Sequence, residues 1–166
     1  MKPLLMVTVL ALATLFPAPL LHAQSVECGA EEGTALLQPT DSAYDEAIEL
    51  ARTLSERHFT IQCILTSKLG GFFEGTTGSA LYRTSDGDLG VVFLSRGRTF
   101  ADLKIVERPL KKGFAYSFSG KPRPLPASRL QSARRQYFLK HENHLLILGD
   151  DALKSKLESA LNLHAE

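Results

Sequence analysis

Residues 42–65 read SAYDEAIELARTLSERHFTIQCIL, and the period of their apolar residues changes partway along. From Ser42 to His58, Ala43, Tyr44, Ala47, Ile48, Leu50, Ala51 and Leu54 recur at intervals of three and four, with Asp45, Glu46, Glu49, Glu56 and Arg57 between them. That spacing predicts an amphipathic helix. Asp41 and Ser42 are candidate N-caps, with Asp45 three residues after Ser42 as in a capping box. From Phe59 the residues become β-branched and aromatic, and FTIQCIL predicts a strand.

Toward the C-terminus the strand pattern repeats. SALYRT (79–84), LGVVFLS (89–95), DLKIVE (102–107), FAYSFS (114–119), QYFLK (136–140) and HLLIL (144–148) are short, and clusters of Gly, Pro, Asp or Asn separate them. SDGD, PLKKG and HENH between consecutive segments predict hairpins. In FAYSFS, Phe114, Tyr116 and Phe118 alternate with Ala115, Ser117 and Ser119, as in a strand with one covered face and one wetter face. The last hairpin differs. A two-residue turn at Glu142 and Asn143 puts Tyr137, Leu139, Leu146 and Leu148 on one face and Phe138, Leu145 and Ile147 on the other. Both faces are apolar, which predicts a central position or one under a helix. Asp151 to Leu163, capped by Asp150, predicts a second helix presenting Leu153, Leu157, Ala160 and Leu161. The fold class read from these patterns is α+β. An N-terminal helix, a meandering antiparallel sheet of about six or seven strands and a C-terminal helix are expected, the helices packed on one side of a curved sheet.

Toward the N-terminus, Lys2 precedes the apolar run LLMVTVLALATLF (4–16), which is followed by Pro17, Pro19 and Ala23. This is the pattern of a secretory signal peptide over residues 1–23, since a membrane span needs about 20 apolar residues. Residues 24–166 then form a single α+β domain of ordinary size, secreted or periplasmic, with no transmembrane segment after cleavage. The two cysteines, Cys28 and Cys63, are expected to pair in an oxidising compartment. Closing such a loop is worth about 4 kcal/mol in the chain-entropy account.

The net charge of +1 conceals an uneven distribution. Residues 24–58 carry eight acids and two bases, whereas residues 104–140 carry ten bases and Glu107 alone. The center of the basic segment, GKPRPLPASRLQSARRQ (120–136), has no periodicity, and its prolines at 122, 124 and 126 predict an extended spacer. SRLQSARR is expected to form a short helical turn bringing Arg129 near Arg134 and Arg135. Lys121, Arg123, Arg129, Arg134 and Arg135 are therefore candidate binding residues for an acidic protein, an anionic polymer or lipid headgroups. The competing expectation is that the basic segment lies against the protein's own acidic helix. Nucleic acid is not expected, because aromatic residues do not interleave with the bases.

Other constellations are weaker. Phe72 and Phe73 stand side by side in KLGGFFEGTTG (68–78) and offer an apolar anchor. That glycine-rich loop lacks the Gly-Lys-Ser/Thr ending and the following helix of a phosphate loop. His141 and His144 flank the last hairpin turn and form a two-ligand metal candidate, too few for a zinc site by themselves. Asp86 and Asp88 lack the further oxygens of a calcium loop, His58 closes the first helix, and His164 lies in the tail. No catalytic residue or cofactor motif stands out, and no nucleophile elbow is present. The sequence thus points to an exported, noncatalytic binding or protein-interaction domain with a basic surface from residues 104–140. The alternatives are a small exported hydrolase with its site in a cleft of the sheet, and a structural envelope component.

Overall fold

The structure is a computed structural model, and it describes residues 28, 34–67, 76–94, 100–120 and 128–163. The expected signal peptide, Phe72 and Phe73, and the proline-bearing spacer with Lys121 and Arg123 lie outside the described residues.

Among the described residues the fold is mixed helix and sheet, with elements in the order α1 (Tyr44–Glu56), β1 (Ile61–Thr66), β2 (Thr76–Thr84), β3 (Gly87–Leu94), β4 (Lys104–Leu110), β5 (Gly113–Ser119), β6 (Ser128–Ser132), β7 (Tyr137–His141), β8 (His144–Leu148) and α2 (Asp151–Ala160). The strands do not form the single meander expected. They divide into a five-stranded sheet of order β1-β2-β3-β8-β7 and a three-stranded sheet of order β4-β5-β6, antiparallel throughout.

The division follows from which residues are apolar. Along β3, Leu89, Val91 and Phe93 join one buried cluster while Val92 and Leu94 join another, and along β8 Leu146 and Leu148 part from Leu145 and Ile147 in the same way. A strand alternates its side chains between faces, so the central sheet needs cover on both sides. Ala47, Leu50 and Leu54 of α1 and Leu153 and Leu157 of α2 cover one face. Tyr116 and Phe118 of β5, with Phe100 and Leu103, cover the other. The result is three layers: helices, five strands, three strands. Both helices do pack on one side of the larger sheet, and the apolar faces read from the last hairpin are the observed ones. Its central position lies in the layering rather than the strand order, since β7 is an edge.

The strand β6 replaces the expected helical turn. Its residues pair with β5 from Phe114↔Ser132 to Phe118↔Ser128, and Leu130 alone supplies an apolar side chain to the cluster. One apolar residue in five sets no period, so the neighbouring strand decides the conformation. The capping expectation for α1 is corrected as well. Its N-cap is Ala43 with no side-chain cap, because Asp41 accepts from the Gln38 N–H at 2.7 Å and Ser42 donates to the Thr77 carbonyl at 3.1 Å. For α2 the Asp150 cap is present, its Oδ1 accepting from Leu153 N–H at 2.8 Å.

Both helices end in the same way. Phe59 N–H donates to Leu54 O at 3.1 Å and His58 N–H to Ser55 O at 3.1 Å; Leu163 N–H donates to Glu158 O at 2.9 Å and Asn162 N–H to Ser159 O at 3.3 Å. These are paired Schellman closures, with His58 (φ 67) and Asn162 (φ 52) in the left-handed position that glycine normally fills. Arg57, the C-cap of α1, donates to the Ala160 carbonyl at 3.2 Å, so the two helix ends meet.

Cys28 and Cys63 form a disulfide, with Cα atoms 6.4 Å apart. Next to it the segment around Leu36 runs beside β1, with Leu37 N–H to Ile64 O at 3.0 Å and Thr66 N–H to Ala35 O at 2.7 Å. The N-terminal segment thus covers the β1 edge of the larger sheet. No helix among the described residues is long and apolar enough to cross a membrane.

Candidate functional site

Among the described residues, charged side chains gather at two places, one on each side of the central sheet. The first is the outer face of the three-stranded sheet. Residues opposite each other in an antiparallel pair share a face, so the pairs Lys104↔Ser119, Val106↔Ser117, Arg108↔Ala115 and Leu110↔Gly113 place Lys104, Val106, Arg108 and Leu110 in one row. Beside that row the floor is small and half-buried, made by Ala115 and Ser117. The alternate residues Ile105, Glu107 and Pro109 pair with Phe118, Tyr116 and Phe114, on the side toward the core.

Val106 is 59% exposed and Leu110 40%, unusually open for side chains of their kind, and the turn residues Lys111 and Lys112 that follow are exposed too. Lys104, Arg108, Lys111 and Lys112 make no ion pair among the described residues. Gly113 (φ 95) tightens this turn, and a Cβ there would collide with the Ser132 carbonyl oxygen, so the position accepts no side chain. The acidic helix α1 lies on the far side of the five-stranded sheet, separated from this face by two layers.

The residues singled out at the center of the basic segment fare differently. Arg135 is bound to Glu107 at 2.9 Å and lies over the Tyr137 ring, which makes it a brace between β4 and β7. Arg134 is exposed. Arg129 has its backbone in β6, paired with Ser117. Lys140 donates to the carbonyls of Ala101 at 3.0 Å and Leu103 at 3.4 Å, holding the approach to β4. Among the described residues, Lys104, Arg108, Lys111, Lys112 and Arg134 are exposed cations, whereas Arg135 and Lys140 are engaged.

The second place is a cleft of about 490 Å³ between α1 and the β7–β8 turn, lined by Glu46, Glu49, Leu50, Thr53, Leu94, His141, Glu142, Asn143 and His144. The turn that builds one wall needs Glu142 in the left-handed region (φ 49), and it sets His141 opposite His144 with ring centroids 6.4 Å apart and nearly parallel. Glu46 is held by Thr77 Oγ1, which donates to its Oε2 at 2.9 Å. His144 packs edge-on to Phe93 at 5.1 Å, and its Nδ1 is buried without a hydrogen-bond partner. Burial holds the His144 imidazole below its ordinary pKa of 6.5, and the neighbouring His141 adds to this, against the opposing pull of Glu46 and Glu142.

The two histidines thus face each other as the sequence predicted, but no group of three or more His, Cys, Asp or Glu converges on a metal position among the described residues. Glu46 and Glu49 of this cleft were not singled out as site residues. Their only signal was helical spacing with Thr53 beside Leu50, and nothing in the sequence shows which turn α1 faces. Asp86 and Asp88 serve structure: Asp86 pairs with Lys156 at 2.6 Å and Asp88 with Arg83 at 3.1 Å.

No protein-family model, no curated protein and no solved structure matches this chain.

Proposed function

We propose that the protein is an exported, noncatalytic binding domain whose partner, an acidic polypeptide, docks on the outer face of the three-stranded sheet. The observation that carries this reading is the row Lys104, Val106, Arg108 and Leu110, which alternates cation and apolar side chain along one exposed face. Cations alone suit any polyanion; the interleaved Val106 and Leu110 add apolar contact, which a polypeptide returns and a sulfated sugar does not. The strand β4 is also an edge of its sheet, so a partner segment has a backbone edge beside which to lie. The two sheet layers between this face and α1 support an outward role for the charge. The disulfide and the apolar leader support export.

The test is retention of the chain lacking residues 1–23 on immobilised polyglutamate across a salt gradient, beside dextran sulfate and vesicles containing anionic lipid. Retention on polyglutamate at low salt that is lost in Lys104→Glu/Arg108→Glu and weakened in Val106→Ser supports the reading. Binding only to vesicles replaces the polypeptide by a membrane surface, and no retention at low salt on any of the three removes the electrostatic basis. The hydrolase alternative finds support in the cleft between α1 and the β7–β8 turn, where titratable groups gather. Thr53, its one hydroxyl-bearing side chain among the described lining residues, donates to Glu49 O at 3.2 Å within the helix.

A further inference from the structure

We propose that the cleft between α1 and the β7–β8 turn is a binding site for a small organic cation, a primary amine carried on an aliphatic chain. The reading is independent of the sheet face above. Size comes first. A volume of about 490 Å³ falls in the range of roughly 300–1,000 Å³ that small-molecule sites occupy. It is far larger than a metal ion requires, and among the described residues no third His, Cys, Asp or Glu converges with the two histidines.

Charge gives the sign. The described lining residues include the carboxylates of Glu46, Glu49 and Glu142 and neither Lys nor Arg. Arg52 approaches Glu49 at 3.7 Å, but the two side chains are 70% and 73% exposed, so this pair competes weakly. Polar detail gives the head group. The His144 Nδ1 is itself fully buried, so the ammonium donates to the lining carboxylates, with the His141 and His144 rings beside it. Glu46 is already fixed by Thr77, so its carboxylate is ordered before a ligand arrives. Leu50 and Leu94 supply apolar surface for the methylenes that follow the amine.

Spermidine serves as the probe, titrated calorimetrically into the intact chain near neutral pH at low salt, with zinc ion as a parallel arm. The expected result is one spermidine per chain, with affinity falling tenfold or more in Glu46→Gln/Glu49→Gln. Asp45→Asn/Glu56→Gln, which removes the same charge from exposed positions of α1 outside the cleft, should change it by less than twofold. Because Glu46 also bonds Thr77, a readout on the unaltered chain is added: the His141 and His144 ring proton resonances should move with spermidine and saturate with the heat. Equal loss in both double variants would reduce the effect to general attraction and overturn the site. So would unmoved histidine resonances, or zinc binding at the two histidines without spermidine binding.

Discussion

Ala43 and Gly78 meet where α1 begins, and a Cβ built on Gly78 would stand 2.6 Å from the Ala43 Cβ. This contact sets how closely the helix approaches β2, just beyond the irregularity between Thr76 and Gly78. Gly78→Ala should therefore destabilise the fold by about 1–3 kcal/mol through overpacking. Ala43→Gly in the same chain should recover a large part of that loss, since glycine is accepted at an N-cap. Urea unfolding of the two single variants and the double variant gives the coupling; additive losses would mean the two positions do not touch.

The three-layer arrangement makes a prediction that a sheet covered on one side does not. Leu145 and Leu146 are adjacent, point to opposite faces and are both fully buried. Leu145→Ala and Leu146→Ala should each cost about 2–5 kcal/mol. A loss confined to Leu146→Ala, seen in the denaturant midpoint, would detach the three-stranded layer from the core.

The left-handed residues that close the helices are open to improvement. His58→Gly and Asn162→Gly each relieve a side chain of the left-handed backbone, and each should stabilise by about 0.5–1 kcal/mol. The gain should be larger at His58, because asparagine tolerates that region better than histidine. Thermal midpoints should rise in both variants, and a fall would place the closures elsewhere.

The buried histidine gives stability a pH dependence of known sign. His144 has its folded-state pKa lowered by burial below the ordinary 6.5. The unfolded chain then takes up a proton at a pH where the folded chain does not. This group's contribution to stability is complete above about pH 6.5 and declines as pH falls toward the lowered folded-state value. The charges of Glu46 and Glu142 and a hydrogen bond with the His141 backbone oppose the shift and limit its size. His144→Gln should flatten the stability profile between pH 7 and pH 5 relative to the unaltered chain, measured by urea unfolding at each pH.

The legible parts of the fold are those where local pattern and burial agree. HLLIL was readable to the residue, since its apolar residues have a hairpin turn before them and a helix cap after. The disulfide was readable because two cysteines have one pairing. The second sheet was not, although its cause was in view: apolar residues on both faces of the last hairpin demand two covers, and only one had been supplied. β6 was hidden because Leu130 alone carries no period. In the charged regions, counting located the basic segment but not which of its described members are paired. Arg135 looks like Arg134 in the sequence, and only the nearness of Glu107 turns one into a brace.

The strand order carries a consequence for the time course of synthesis. β8 lies between β3 and β7, pairing Leu89 with Leu148 and Phe93 with His144. While the ribosome is still making the middle of the chain, β1, β2 and β3 have no neighbour for the open side of β3, which carries Val91, Val92 and Phe93. Contacts this distant in sequence form slowly, and an unpaired apolar edge invites association with other chains. The five-stranded sheet can close only after residue 148 is available, so its native pairing waits for a segment about fifty residues beyond β3. Until then β3 keeps one edge without its partner strand, the side on which β8 later pairs.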